Sequence, residues 1–374
     1  MTASSAPPRR IALAVFRLAP AGGLEQHALR LAEILVRRGC QVTMVTTRPP
    51  ATPPPGVGIE LVAARGRTNH GRLAAFAEDV AGAVAGRFDR TVAFHAIPGF
   101  DAIFCADPSR AAPSGAHRWL PRYRTYAELE RLALANGAGP VLTLSSTQLN
   151  AFAANHPDAR PRLRLLPPTV DRLRADPTAA TPAARKAARD SLKLGEGPVW
   201  LWLGLQPHTK GLDRVLQALP AAQGARLLVC GLDPASRGGA DALRLATRLG
   251  VENRVRWLGF VDDPGLAQAM AAADLLAHPS RADVTGTVIL EALASGLPVV
   301  TTAVCGYGEH VVGAGAGVVL AEPFQAVDFD RALDQNPETL ARWSENALAY
   351  AGRDELYSGL ERAADLILAD ANDR

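Results

Sequence analysis

Apolar positions along this chain follow two patterns, short continuous runs and longer stretches with a helical period. Ile11–Phe16 is one such run. After a Gly22-Gly23 turn, Leu24, His27, Ala28, Leu31, Ile34 and Leu35 share one face of a helix that ends near Gly39. Val42–Thr47, Ile59–Val62, Arg90–Phe94 and Val141–Ser145 read as further strands, with helices near Gly71–Ala85 and Ala116–Ala135. Strands alternating with amphipathic helices predict an α/β fold, a doubly wound parallel sheet covered on both faces.

The texture changes between Leu163 and Pro198. This stretch is rich in Pro, Ala and Arg, with no strand beyond Leu163–Leu166 and a helix over Ala183–Leu192, and it reads as a linker. Alternation then resumes. Val199–Gly204, Arg226–Cys230, Val255–Leu258, Leu275–His278 and Pro298–Thr302 are strands, Leu212–Leu219 and Ala240–Leu249 are helices, and the tail after Phe324 is helical. A second doubly wound domain follows, with a ligand cleft expected where the carboxyl ends of the two sheets face each other. The N-terminal domain spans 1–168 and the C-terminal domain 169–350.

Composition narrows the function classes. With 40 basic and 37 acidic residues the net charge is +3, too balanced for a dedicated nucleic-acid binder. No stretch of about 18 apolar residues is free of charge, which predicts no membrane span, and the run Ile11–Phe16 is too short for the core of a signal peptide. Cys40, Cys105, Cys230 and Cys305 stand far apart, which argues against a disulfide scaffold or a cysteine-based zinc site and fits a reducing cytoplasm. Cys105 and Cys305 read as packing residues. Only Lys186, Lys193 and Lys210 are lysines, so a lysine inside a motif stands out.

Three segments carry candidate chemistry. Gly22-Gly23 joins a strand to a helix, where bare backbone and a helix N-terminus suit an anion, although the Gly-x-Gly-x-x-Gly dinucleotide pattern is absent. Lys210, just before Gly211 on another strand-to-helix connection, sets a flexible cation beside helix-start amides, an arrangement suited to a diphosphate. Asp283 and Glu291 lie eight residues apart around a helix that starts near Gly286. Glu291 falls on an apolar helix face, where a carboxylate is costly unless it accepts hydrogen bonds, and sugar or ribose hydroxyls would supply them.

In this order, these segments resemble the family 4 glycosyltransferases of the GT-B architecture, and among them the lipopolysaccharide core glucosyltransferases that add glucose to inner-core heptose. The likeness runs nearly end to end. It includes Phe94–Asp101, Ala106-Asp107, Leu166–Pro168, Lys210–Arg214, Ala271–Leu276, Gly296–Tyr307, Ser344–Ala347 and Leu356–Ser358. The resemblance implies two Rossmann-like domains and a C-terminal segment, 351–374, that crosses back to the first. It also implies a retaining, nucleotide-sugar-dependent hexosyltransferase that needs no metal and no cofactor. UDP-glucose is the implied donor, and the implied acceptor is the lipopolysaccharide inner core or a related glycolipid.

Carried over residue by residue, Gly22 and Gly23 face the donor diphosphate and Lys210 neutralises the departing nucleoside diphosphate. Asp283 holds hydroxyls of the transferred sugar, and Glu291 holds the ribose. The backbone of Thr285, Gly286, Thr287 and Val288 contacts the phosphates. Asp101, read in a cleft-facing loop after Arg90–Phe94, is the acceptor-side carboxylate. There are departures: Asp283 replaces a glutamate, Thr209 stands where an arginine is usual before Lys210, Phe260 replaces an arginine near the base, and His27 replaces an acid. The missing cation at 209 is worth about 1–3 kcal/mol of charge-assisted hydrogen bonding to a diphosphate.

Arg110 to Arg131 interleaves arginines with Trp119, Tyr123 and Tyr126. Arg118, Trp119, Arg122 and Arg124 are the expected contacts to an anionic membrane surface or a phosphorylated glycolipid, placing the protein in the cytoplasm, peripheral on the inner membrane. Two other readings stay open: the same fold with another nucleotide sugar or a glycolipid or capsule acceptor, and a non-catalytic binding protein.

Overall fold

The computed structural model describes residues 8–19, 22–110, 119–135, 137, 139–170 and 177–369. The chain divides into two compact units, one of residues 1–168 with 358–374 and one of residues 169–357.

The first unit is built on seven parallel strands: β1 (Arg10–Ala14), β2 (Gln41–Thr46), β3 (Val57–Leu61), β4 (Arg90–Ala93), β5 (Ala102–Phe104), β6 (Val141–Thr143) and β7 (Leu163–Leu165). Their order is β3-β2-β1-β4-β5-β6-β7, so the direction of winding reverses between β1 and β4. Helices α1 (Gly23–Arg37), α2 (Asn69–Val84), α3 (Pro121–Ala135) and α4 (Ser146–Asn155) cover the sheet. The buried stripe of α1, which includes Ala28, Leu31 and Leu35, packs with Ile11, Leu13 and Phe104 in one core cluster. β5 and α4 have no counterpart in the sequence reading. A three-residue strand carries too little periodicity to register, and α4 is announced only by its Ser145 cap, whose hydroxyl accepts from Gln148 N.

The second unit has six parallel strands, β8 (Val199–Leu203), β9 (Arg226–Cys230), β10 (Val255–Gly259), β11 (Leu275–His278), β12 (Val299–Thr302) and β13 (Gly317–Leu320), in the order β10-β9-β8-β11-β12-β13. Around them lie α5 (Pro182–Ser191), α6 (Leu212–Ala218), α7 (Arg237–Arg248), α8 (Asp263–Ala272), α9 (Thr287–Ala294), α10 (Gly308–Ala314), α11 (Ala326–Leu333) and α12 (Pro337–Ala351). Asp274 ties α5 to this sheet by accepting from Arg185, Arg189 and the amide of Val199. The final helix, α13 (Gly359–Leu368), packs on α1 in the first unit, where Arg38 reaches Glu361 and Asp365. The segment belonging to the first unit therefore begins at Ser358 rather than 351, since α12 and the turn Asp354–Tyr357 stay with the second.

In each sheet the order reverses at one pair of adjacent strands, β1/β4 and β8/β11. Loops leaving the carboxyl ends of such a pair diverge to opposite faces and leave a crevice, the usual ligand position in an open α/β sheet.

Candidate active site

In the second unit the loops after β8 and β11 carry two of the three motifs singled out from sequence. Trp202, fully buried, donates its indole N–H to the carbonyl of Lys210 (3.0 Å) and anchors the first loop from below. Gly211 then turns the chain with φ 73°, and a Cβ there would collide with the Pro279 carbonyl, so the two loops meet closely only because this residue is glycine. The second loop is fixed from the other side: Gly306 N donates to Asp283 O (3.2 Å) and Tyr307 N to Thr285 O (2.7 Å). Between them the Lys210 ammonium lies 2.5 Å from Asp283 Oδ2.

His278, at the end of β11 and 1% exposed, sits behind that carboxylate. Its Nε2–H is shared between Asp283 Oδ2 and Ser280 Oγ, each 3.0 Å away. Burial alone would raise the Asp283 carboxyl, but the His278 hydrogen bond and the Lys210 charge outweigh it and hold it at about 2. The reverse holds for His278: burial works against the charged ring, and the hydrogen bond to Asp283 overcomes it and raises its pKa. Cys305, read from sequence as packing, belongs to this cluster. Burial would raise its thiol, but His278 beside it lowers it instead.

His278, Asp283 and Cys305 offer ligand atoms within 4.8 Å of one another, a spacing that a metal ion could bridge. The Asp283 oxygen is, however, already engaged by Lys210, and a divalent ion would have to displace that ammonium. A lysine charge fits the set as it stands.

α9 starts from Gly286, whose φ of 75° turns the loop into the helix. Every residue from Val288 to Ala294 is buried, including Glu291 at 6% exposure. Thr285 and Thr287 are half-buried at the helix entrance. Arg281 lies near the cation missing at Thr209, since its amide donates to Thr209 O. Its guanidinium is committed to Asp213 in two bonds (2.8 and 2.7 Å) and to His208 O, so it does not substitute for that cation. Phe260, just past β10, is 74% exposed.

The first unit presents a different set. Gly22 caps α1, and its amide is already taken by Glu25 Oε2 (2.9 Å), whereas a Cβ on Gly23 would meet nothing within 4 Å. Glu25 also lies 3.8 Å from Arg17. Arg17 and Glu25 line a cavity of about 350 Å³ with His95, Asp107, Arg110, Arg122 and Tyr126, at the carboxyl ends of β1, β4 and β5. The Arg110 and Arg122 guanidinium groups lie 5.6 and 5.9 Å from the Tyr126 ring centre. Buried Glu130 holds the loop behind them by accepting from Ser109 Oγ and Arg110 N, both at 2.6 Å. His95 and Asp107, 3.5 Å apart, were assigned no role from sequence, although both stand in quoted motifs directly after apolar runs.

Asp101 is not where the sequence reading put it. β4 and β5 are parallel, so the segment between them must return to the amino edge before β5 begins. Asp101 therefore sits opposite Thr91 at that edge, accepting from Thr91 N (2.8 Å) and Oγ1 (2.9 Å), away from the cavity. His27 packs against Phe104 in the core, with ring centres 5.9 Å apart. Of the proposed membrane contacts, Trp119, Arg122 and Arg124 are exposed, with Trp119 at 70%; Arg118 lies outside the described residues. No helix among the described residues is long and apolar enough to cross a membrane.

Residues 184–349 match the family described as Glycosyl transferases group 1. The chain is 33% identical over 376 residues to the lipopolysaccharide glucosyltransferase WaaG of Escherichia coli (strain K12), covering 96% of this chain and 98% of that protein. The chain belongs to the group 1 glycosyltransferases. The crystal structure of WaaG, a glycosyltransferase involved in lipopolysaccharide biosynthesis, matches this one with a TM-score of 0.86 at 31% identity, over 96% of this chain and 100% of that one. A D-inositol 3-phosphate glycosyltransferase of Mycobacterium bovis (strain BCG / Pasteur 1173P2) is 31% identical over 346 residues, 80% of this chain and 69% of that protein. The protein is thus a nucleotide-sugar-dependent glycosyltransferase of GT-B architecture, built from two Rossmann-like units.

Proposed function

We propose that this glycosyltransferase moves glucose from UDP-glucose, with retention of configuration, onto the inner-core heptose of lipopolysaccharide. The observation that carries the reading is the convergence of Lys210, Asp283 and the α9 entrance at the β8/β11 switch point, in a chain alike from end to end to a lipopolysaccharide glucosyltransferase.

The chemistry follows from charge. As the bond from the anomeric carbon to the phosphate oxygen breaks, negative charge grows on the nucleoside diphosphate and positive charge on the sugar. Lys210 is placed to offset the first, with the amides of Gly286, Thr287 and Val288 at the helix start adding oriented dipoles. Asp283, ionised at any working pH, takes sugar hydroxyls, and Glu291 takes the ribose. The acceptor hydroxyl adds on the face the diphosphate leaves, and its proton passes to the departing phosphate oxygen. The first-unit cavity, with Glu25, His95 and Asp107, is the acceptor side in this reading; Asp101 is not part of it. Trp119, Arg122 and Arg124 form the face that meets an anionic membrane surface.

Thr209 and Phe260 favour a second reading, the same mechanism with a different nucleotide sugar, because neither supplies the cation expected around the base and diphosphate. One experiment separates them. Nucleoside diphosphate release is measured from a panel of UDP-, GDP- and ADP-sugars with and without heptose-containing core acceptor. Core-dependent release from UDP-glucose that is lost in Lys210→Ala supports the first reading. Core-dependent release from another donor replaces the sugar, and core-independent release from every donor overturns the acceptor.

A further inference from the structure

His278 has no role in the chemistry above, yet it is buried at the site with only 1% of its surface exposed. The two groups that hold Asp283 both act on one oxygen: Lys210 Nζ at 2.5 Å and His278 Nε2 at 3.0 Å converge on Oδ2. Among the described residues no hydrogen bond reaches Oδ1. A lone ammonium on a flexible stem fixes the position of a carboxylate but leaves it free to swivel about its last bond. A second donor from a rigid ring, arriving from the protein interior, removes that freedom and leaves one oxygen aimed at the ligand.

The ring is enclosed in the protein interior. Thr301 Oγ1 donates to the His278 carbonyl (2.9 Å), Ser280 Oγ shares Nε2, and Nδ1 is buried with no hydrogen bond to pull the ring away. Aspartate suits this arrangement better than the longer glutamate, since it keeps the carboxylate within reach of a residue at the strand end.

We propose, resting on the reading that Asp283 receives the hydroxyls of the transferred sugar, that His278 is a positioning residue for sugar recognition. It locks Oδ2 so that Oδ1 presents a fixed acceptor to the sugar, and it leaves recognition of the nucleotide to other groups.

The test is a split between two ligands. Dissociation constants for UDP and for UDP-glucose are measured by calorimetry on wild type, His278→Leu, His278→Gln and Asp283→Asn, with kcat/KM from diphosphate release. His278→Leu is expected to bind UDP within about twofold of wild type while losing about tenfold or more in UDP-glucose affinity and in kcat/KM, the scale on which misplaced groups cost activity. His278→Gln, which puts an amide donor back near Nε2, recovers most of that loss. Equal losses for UDP and UDP-glucose, no loss for either, or a glutamine variant no better than leucine would each overturn the proposal. Should the leucine variant fail to fold, the glutamine variant is compared with wild type on the same split, and an unchanged ratio with an unchanged kcat/KM profile sinks it. Asp283→Asn keeps the two readings apart. If it leaves the UDP-glucose to UDP ratio unchanged, Asp283 is not the sugar contact; if it shifts the ratio and His278→Leu does not, only the role of His278 fails.

Discussion

Two histidines, one in each unit, are almost wholly buried and respond in opposite ways. His27 on α1 lies against Phe104 with its Nδ1 unpartnered, and burial, helped by Arg30, pushes its pKa down to about 4. His278 at the end of β11 is buried more deeply, yet its pKa is raised, because Asp283 meets it at 3.0 Å. Burial is common to both, and a carboxylate partner decides which way the charge goes. The contrast extends to the sites around them. At the β8/β11 crevice a cation, a carboxylate and a histidine are locked together by two loops. At the corresponding end of the first sheet, Gly22's amide is spent on Glu25 and the polar residues line an open cavity instead. One unit holds paired charges locked together, and the other holds space.

The largest break in this contrast comes from the cation. Lys210→Ala is expected to lower kcat by about 10²–10³-fold, the usual cost of one electrostatic donor at a developing charge, read as diphosphate release at saturating donor. The loss should be smaller if Arg281 leaves Asp213 to take its place, which the double variant Lys210→Ala with Arg281→Ala would reveal.

Next is the acid sensitivity of the first unit. The folded pKa of His27 lies below its unfolded value of about 6.5, so the unfolded chain binds the extra proton and stability is lost as pH falls from about 6.5 toward 4. The full cost is about 3 kcal/mol below that range. Denaturant unfolding of His27→Leu across pH 4–7 should show this slope removed; an unaltered slope would place the sensitivity elsewhere.

His278 predicts the opposite sign. Its folded pKa is raised, so its pairing contributes stability that is complete below about pH 6.5 and is lost as pH rises through the raised value. Asp283, held at about 2, stays ionised throughout that window. In His278→Gln, unfolding midpoints measured from pH 6 to 9 should lose this decline. The smallest effect is expected for Trp202→Phe, which keeps the ring in the core but removes the bond to the Lys210 carbonyl. About 1 kcal/mol of stability should go, with kcat falling more than donor affinity if the anchor sets the position of Lys210.

Much of this was legible in the chain. The alternation of apolar runs and amphipathic stretches located most strands of both sheets. The lone motif lysine, the Asp283–Glu291 spacing and the glycines at 211 and 286 pointed to the loops that the second sheet brings together. What escaped depended on partners far away in sequence or on very short elements. β5, three residues long, was not seen, and missing it sent Asp101 to the wrong edge. Cys305 read as packing because its neighbours, His278 and Asp283, come to it only through the loop pairing of 283–285 with 305–307.

Local choices are written in the chain: where strands and helices run, which turns require glycine, and which charged residues sit on loops after strands. These depend on periodicity and backbone sterics, which act over a few residues. The state of each charge is set by the packed fold. Whether His278 is a cation, whether Gly22's amide is free and which oxygen of Asp283 takes both donors all depend on what lies within about 3 Å. That is fixed by strands packed side by side from distant parts of the chain.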